Sequence, residues 1–146
     1  MTRIGIAAAA ALVALASCSR SGREVVLTKD APAPIGPYSQ AVKAGGMLYV
    51  SGQLGIDPAT GQLVPGGVVA QAHQALKNLG AILQAAGYSF DDVVQVQVFL
   101  EDMDDFGLVN GAYRAYFTKA LPARAAVEVA GLPMDAKVEI LAVATK

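Results

Sequence analysis

Asp91-Asp92-Val93-Val94-Gln95-Val96-Gln97-Val98-Phe99-Leu100 alternates with the period of a β-strand. Val94, Val96, Val98 and Leu100 fall on one face, and Gln95 and Gln97 on the other. The apolar face belongs to a core. Two glutamines on a strand this apolar turn the opposite face toward water, a site or another subunit. Upstream, Val69, Ala72, Leu76, Leu79, Leu83 and Ala86 recur at spacings of three and four, which predicts one amphipathic helix. Gly87 ends it as a left-handed cap.

Downstream, Asp104 or Asp105 is suited to cap a second helix with Phe106, Val109, Tyr113 and Tyr116 or Phe117 on one side. Two more strands, Ala125 to Val129 and Val138 to Ala144, flank Gly131-Leu132-Pro133-Met134-Asp135. Before the first helix, Ala41 to Ala44, Gly45-Gly46 and Met47 to Gln53 read as a hairpin, with a possible short strand at Val25 to Leu27. Asp57-Pro58-Ala59-Thr60-Gly61 is a type I turn followed by a left-handed glycine. The order is β-β-α-β-α-β-β. An α+β fold with two helices on one face of a mixed sheet is the economical packing.

Two charges stand out against these strands. Arg124 lies in Leu121-Pro122-Ala123-Arg124-Ala125-Ala126-Val127-Glu128-Val129, and Glu139 in Lys137-Val138-Glu139-Ile140-Leu141-Ala142-Val143. A charge at a half-buried strand position costs several kcal/mol unless it is paired or meets a ligand. The guanidinium fork suits a carboxylate, and a carboxylate can hold a water or move a proton. The competing reading for Arg124 is an ion pair with Glu128, Glu139 or a neighbouring subunit. Ala31-Pro32-Ala33-Pro34-Ile35-Gly36-Pro37 excludes regular structure and delivers Tyr38, which either lines a site or packs on the proline loop.

The chain has 146 residues, enough for one domain with a modest core. Its arginines and lysines are scattered singly, so the clustered positive charge that nucleic acid requires is missing. His73 has no ligand-type neighbour at metal-binding spacing and reads as a surface residue on the polar side of the first helix. Asp102, Asp104 and Asp105 are explained by helix capping. No metal site is expected.

The N-terminus reads differently. Arg3 precedes an apolar run from Ile4 to Ala14, then Leu15-Ala16-Ser17-Cys18. The run is shorter than the ~20 residues of a spanning helix but suits a signal peptide. Cys18 is the only cysteine, so no intrachain disulfide can form. Its setting resembles the bacterial lipobox. Residues 1–17 are expected to be a lipoprotein signal peptide, 18–23 the lipidated cysteine and tether, and 24–146 the folded domain. Removal of Arg3 with the leader leaves ten basic against twelve acidic residues. The implied location is the bacterial envelope, lipid-anchored and facing the periplasm, with an outer-membrane destination compatible with Ser19; if the signal is not used, the location is cytoplasmic.

Ile35-Gly36-Pro37-Tyr38-Ser39-Gln40-Ala41, Val50-Ser51-Gly52-Gln53, Val109-Asn110, Pro122-Ala123-Arg124 and Val138-Glu139-Ile140, in this order and spacing, resemble the RidA family of reactive-imine deaminases. The resemblance runs from about Glu24 to Val143. It implies a chorismate-mutase-like fold and a homotrimer whose sheets form a central barrel, with clefts between subunits. It also implies hydrolysis of 2-imino acids or their enamines to 2-keto acids and ammonia, with no cofactor. In that frame Arg124 clamps the substrate carboxylate, Glu139 holds the attacking water, and Tyr38 reaches in from the neighbouring subunit. Ser51 and Gly52 bound the pocket, and Asn110 adds a polar wall. Ala126 stands where the imine-hydrolysing subgroup commonly has cysteine, a position thought to act through its backbone. Gly131 replaces a frequent lysine or arginine. A non-catalytic module that binds a small carboxylate in the same cleft is the alternative.

Overall fold

The structure, a computed structural model, describes residues 22–146. The leader expected at 1–17, Cys18 and the tether up to residue 21 lie outside the described residues. The strands are β1 (Glu24–Val26), β2 (Ala41–Ala44), β3 (Met47–Leu54), β4 (Ile56–Asp57), β5 (Gln62–Leu63), β6 (Val93–Leu100), β7 (Ala123–Glu128) and β8 (Val138–Thr145). The helices are α1 (Gly67–Ala85) and α2 (Phe106–Tyr113). A six-stranded mixed sheet has the order β1-β2-β3-β8-β6-β7, in which only β6 and β7 run parallel. β4 and β5 form a separate two-stranded ribbon around the Asp57 turn. There Gly61 has φ +71° and donates to the Asp57 carbonyl at 2.8 Å.

Both helices cover one sheet face. Leu48, Val50, Val96, Val98, Leu100, Ile140, Ala142 and Ala144 point beneath them and meet Leu76, Leu79, Ile82 and Leu83 of α1 and Val109, Ala112 and Tyr113 of α2. Each large aliphatic side chain buried here contributes about 1.5–3 kcal/mol. The expected α+β order and the single helical layer are both present.

Three local expectations are corrected. Val94 is 42% exposed, because a bulge inserts it between Val93, paired with Ala144, and Gln95, paired with Val143; Val93 takes the core position instead. In α1, Val68 is buried and Val69 is exposed, so the apolar stripe enters the helix one residue earlier than the spacing predicts. The second helix is capped by Asp102, whose side chain accepts from the Asp104 N–H at 2.8 Å and starts a 3₁₀ turn that runs into α2; neither Asp104 nor Asp105 is the side-chain cap. The C-terminus of α1 ends as expected at Gly87, φ +82°, with Tyr88 N–H bonded to the Leu83 carbonyl and Gly87 N–H to that of Gln84.

Candidate functional site

Glu139 lies on β8 between Val138 and Ile140, both fully buried under the helices, so its own side chain projects from the opposite face. There it borders a cavity of about 180 Å³ with Ile35, Tyr38, Ser51, Gly52, Leu54 and Pro133. Room for the carboxylate comes from Gly52. A Cβ at that position would sit 2.5 Å from the Glu139 Cδ and 2.9 Å from its Cγ. The register of β3 against β8 shifts between Val50 and Gln53, a bulge that places Ser51-Gly52 beside this carboxylate. Burial pushes the Glu139 carboxyl above its ordinary value. No ion pair among the described residues involves it.

Tyr38 packs on the proline loop, where its hydroxyl accepts the Ile35 N–H at 3.1 Å, and borders the Glu139 cavity. Ser51 borders the same cavity, and its hydroxyl donates to the Ser39 carbonyl at 2.7 Å.

Arg124 sits elsewhere. It pairs in register with Val96, a core-facing residue, so it projects on the helical side at the sheet edge. Phe106, Asn110 and Tyr113 follow at i, i+4 and i+7 along α2 and meet it as one stripe. The guanidinium donates to Asn110 Oδ1 at 2.7 Å and lies 4.7 Å from the Tyr113 ring centre and 5.6 Å from that of Phe106. Within the chain neither Glu128 nor Glu139 pairs with it: Glu128 instead accepts the Met103 N–H, and no ion pair among the described residues includes Arg124. A cavity of about 270 Å³ opens here, lined by Asn110, Tyr113, Arg114, Leu121, Pro122 and Arg124. Ala126, two residues on, packs partly against the core beside Val98. Gly131 is open to solvent.

One chain therefore gathers the expected site residues into two groups on opposite sheet faces: Arg124 with Asn110, and Glu139 with Tyr38, Ser51 and Gly52. Tyr38 is grouped with Glu139 within one protomer, whereas the expectation set Tyr38 apart from both charges. Alternation explains it. Arg124 opposes Val96 on β6 and Glu139 opposes Phe99, and odd and even positions of β6 face opposite ways.

Sequence reasoning missed the residues that hold these groups. Gln40, 1% exposed, donates to the carbonyls of Thr28, Ala31 and Pro32 and accepts the Thr28 N–H, tying down the loop that carries Tyr38. Asn78 on α1 donates to the carbonyls of Leu54 and Ile56, and Gln71 accepts the Lys137 N–H, fixing the strand ends on either side of the Glu139 cavity. Polar residues inside the apolar face of α1 were the available signal. His73 is half-buried rather than a free surface residue: its carbonyl accepts the Tyr116 hydroxyl at 3.1 Å. Among the described residues no three His, Cys, Asp or Glu side chains gather as a metal site.

The fold and the two clusters define an α+β protein whose mixed sheet carries Arg124 and Asn110 on its helical face and a cavity bordered by Glu139 on the other. Its sequence matches the family model described as endoribonuclease L-PSP over residues 28–146, and the chain belongs to this L-PSP/RidA family. It is 59% identical over 124 residues to the mouse protein named 2-iminobutanoate/2-iminopropanoate deaminase, covering 85% of this chain and 92% of that one. The human protein of the same name is 54% identical over 122 residues, covering 84% and 89%. Among solved structures, RidA from the Antarctic bacterium Psychrobacter superposes with a TM-score of 0.82 at 46% identity, covering 84% of this chain and 99% of the other. Escherichia coli TdcF with bound serine gives 0.81 at 40% identity, covering 84% and 98%.

Proposed function

We propose that this chain hydrolyses 2-imino acids and their enamine tautomers to 2-keto acids and ammonia, as a homotrimer with its sites between subunits. The observation that carries the assembly is the separation of Arg124 and Glu139 onto opposite sheet faces. A small substrate that uses both needs the edge of one chain laid against the open face of another. That face supports the reading: Tyr49 is 50% exposed, Val127 43%, and Leu141, Val143 and Phe99 are only half-covered, an apolar surface suited to a neighbouring copy. The identity to the mouse and human deaminases supports the reaction.

Arg124 takes the substrate carboxylate through the N–H groups that Asn110 leaves free. Glu139 holds a water against the imine carbon and accepts its proton as the C–O bond forms. The same proton then goes to the amine nitrogen of the carbinolamine. From the protonated imine this gives a carbinolammonium; its C–N bond breaks as the hydroxyl proton passes to the freed Glu139 carboxylate, the ketone forms, and the released ammonia carries that proton away as ammonium. The upward shift of the Glu139 carboxyl, caused by burial, favours its taking up and returning one proton. Tyr38, Ser51 and Gly52 wall the cleft, and Ala126 contributes backbone groups on the outer edge of β7. The reaction as written balances with water alone.

The test is the loss of an imine made in situ by an amino-acid oxidase. The wild type accelerates it and Arg124→Ala lowers kcat/KM roughly 100-fold, the loss expected for a charge-assisted pair. No acceleration by the wild type, or full activity in Arg124→Ala, refutes the proposal. The serine held by TdcF favours one second reading, a carboxylate-binding module; tight 2-oxobutanoate binding without imine turnover would establish it.

We also propose that the mature chain begins at a lipid-modified Cys18 and is anchored in the envelope, facing the periplasm. The run from Ile4 to Ala14 ahead of the lone cysteine supports it. Its imines would then come from amino-acid dehydrogenases or oxidases acting near the envelope. Mass spectrometry of the N-terminus decides: an unmodified Met1 refutes the anchor.

A further inference from the structure

We infer that Tyr113 is a positioning residue for Arg124, its ring holding the guanidinium at the cavity without neutralising it. The inference rests on the reading of Arg124 as the carboxylate clamp. An arginine on an edge strand is ordinarily steered by an acid, and such a pair would cancel the charge a substrate needs. Here every holder is neutral: Asn110 at 2.7 Å, the Tyr113 ring at 4.7 Å and the more exposed Phe106 ring at 5.6 Å. A ring face attracts the cation through its quadrupole while leaving in-plane N–H donors open to a ligand.

Tyr113 is itself fixed. It is 6% exposed and stacks on Phe117 with centroids 4.2 Å apart and planes 18° from parallel; Phe117 meets Phe90 edge-on at 4.9 Å. The guanidinium thus rests on an aromatic stack rooted in the core, which restricts its motion far more than a surface partner does. Burial pushes the Tyr113 hydroxyl up to about 12, so at neutral pH the ring is an uncharged phenol and not a phenolate that would pair with Arg124. The hydroxyl has no hydrogen-bond partner among the described residues. The ring is the part that touches Arg124.

Two variants separate ring from hydroxyl: Tyr113→Phe keeps the platform and Tyr113→Leu removes it. Three readouts apply: the Arg124 Nε–Hε resonance by NMR, the Kd of 2-oxobutanoate by calorimetry, and KM against kcat in the imine assay. In the wild type and Tyr113→Phe, the Hε resonance is shifted upfield by the ring current and Kd agrees within about twofold. Tyr113→Leu loses the shift and raises Kd and KM about 3- to 30-fold, the range of a partly desolvated cation–π contact, with a smaller change in kcat. Wild-type Kd and resonance in Tyr113→Leu would overturn the inference, as would equal damage from Tyr113→Phe, which would place the effect in the hydroxyl. A wild type that binds the keto acid without turning over imine sinks the catalytic proposal and leaves this one standing. If it neither binds nor turns over, the Hε shift alone decides whether the ring fixes the guanidinium.

Discussion

Gly52→Ala is the sharpest perturbation the site offers, because a single methyl group reaches the Glu139 carboxylate and little else. The added Cβ would lie 2.5 Å from the Glu139 Cδ and 2.9 Å from its Cγ, and ordinary contact begins at 3.4 Å. The carboxyl carbon must retreat from 2.5 Å to at least 3.4 Å, and Oε1, which starts closer, must move further. Gly52 is not among the positive-φ glycines, so alanine fits the backbone without strain. A displacement of about 1 Å at a catalytic group costs roughly 100-fold, which corresponds to about 2.7 kcal/mol of barrier. Because the obstructed group is the end of a flexible side chain beside an open cavity, stability should change by less than ~1 kcal/mol. The assay is kcat/KM for imine hydrolysis with thermal unfolding in parallel, for Gly52→Ala, Glu139→Gln and the double variant. If the methyl acts by moving the carboxylate, the double variant is no worse than Glu139→Gln alone. Independent, multiplying losses would refute the reasoning, as would wild-type activity in Gly52→Ala.

The raised Glu139 carboxyl makes a separate statement about stability. The fold disfavours its ionised form, so the stability tied to its protonation is present below the ordinary value of 4.5 and is lost as pH rises through the higher folded value. Glu139→Gln should therefore melt above the wild type at pH 7 and lose that advantage near pH 4; an equal Tm difference at both pH values counts against it. Gln40→Ala strips the partners from three carbonyls and one N–H around the proline loop and should lower unfolding stability by about 2–4 kcal/mol in urea. Its kcat/KM should fall as well through loss of the Tyr38 loop position, and unchanged stability would show that the loop is held by other means.

Sequence alone determined a good deal. Strict alternation in β6 and β8, the helical stripe of α1 and the glycines at 61 and 87 each express a local rule: strand period, helix period or a left-handed backbone. Local rules operate over a few residues, so they are legible without the fold. The reading went astray by one residue at Val94 and at Val69, where a bulge and a helix start shifted the phase; such shifts are decided by how strands and helices meet. The identities of Arg124, Glu139, Tyr38, Ser51, Gly52 and Asn110 were likewise visible, since charges and a Ser-Gly pair inside apolar strands are conspicuous on the page.

Their grouping was not. Arg124 and Glu139 each sit in an alternating strand, and nothing in either strand says how its phase relates to the other's. Only the pairing of both with β6, at Val96 and at Phe99, sets them on opposite faces. The same holds for the supports. Gln40, Asn78 and Tyr113 act through partners 8 to 24 residues away, and a buried polar or aromatic group acquires its role only when the chain closes around it. Sequence named the chemical groups; tertiary structure decided which of them one chain can bring to the same substrate, because side-chain direction in a sheet depends on register between strands rather than on the order of residues within one.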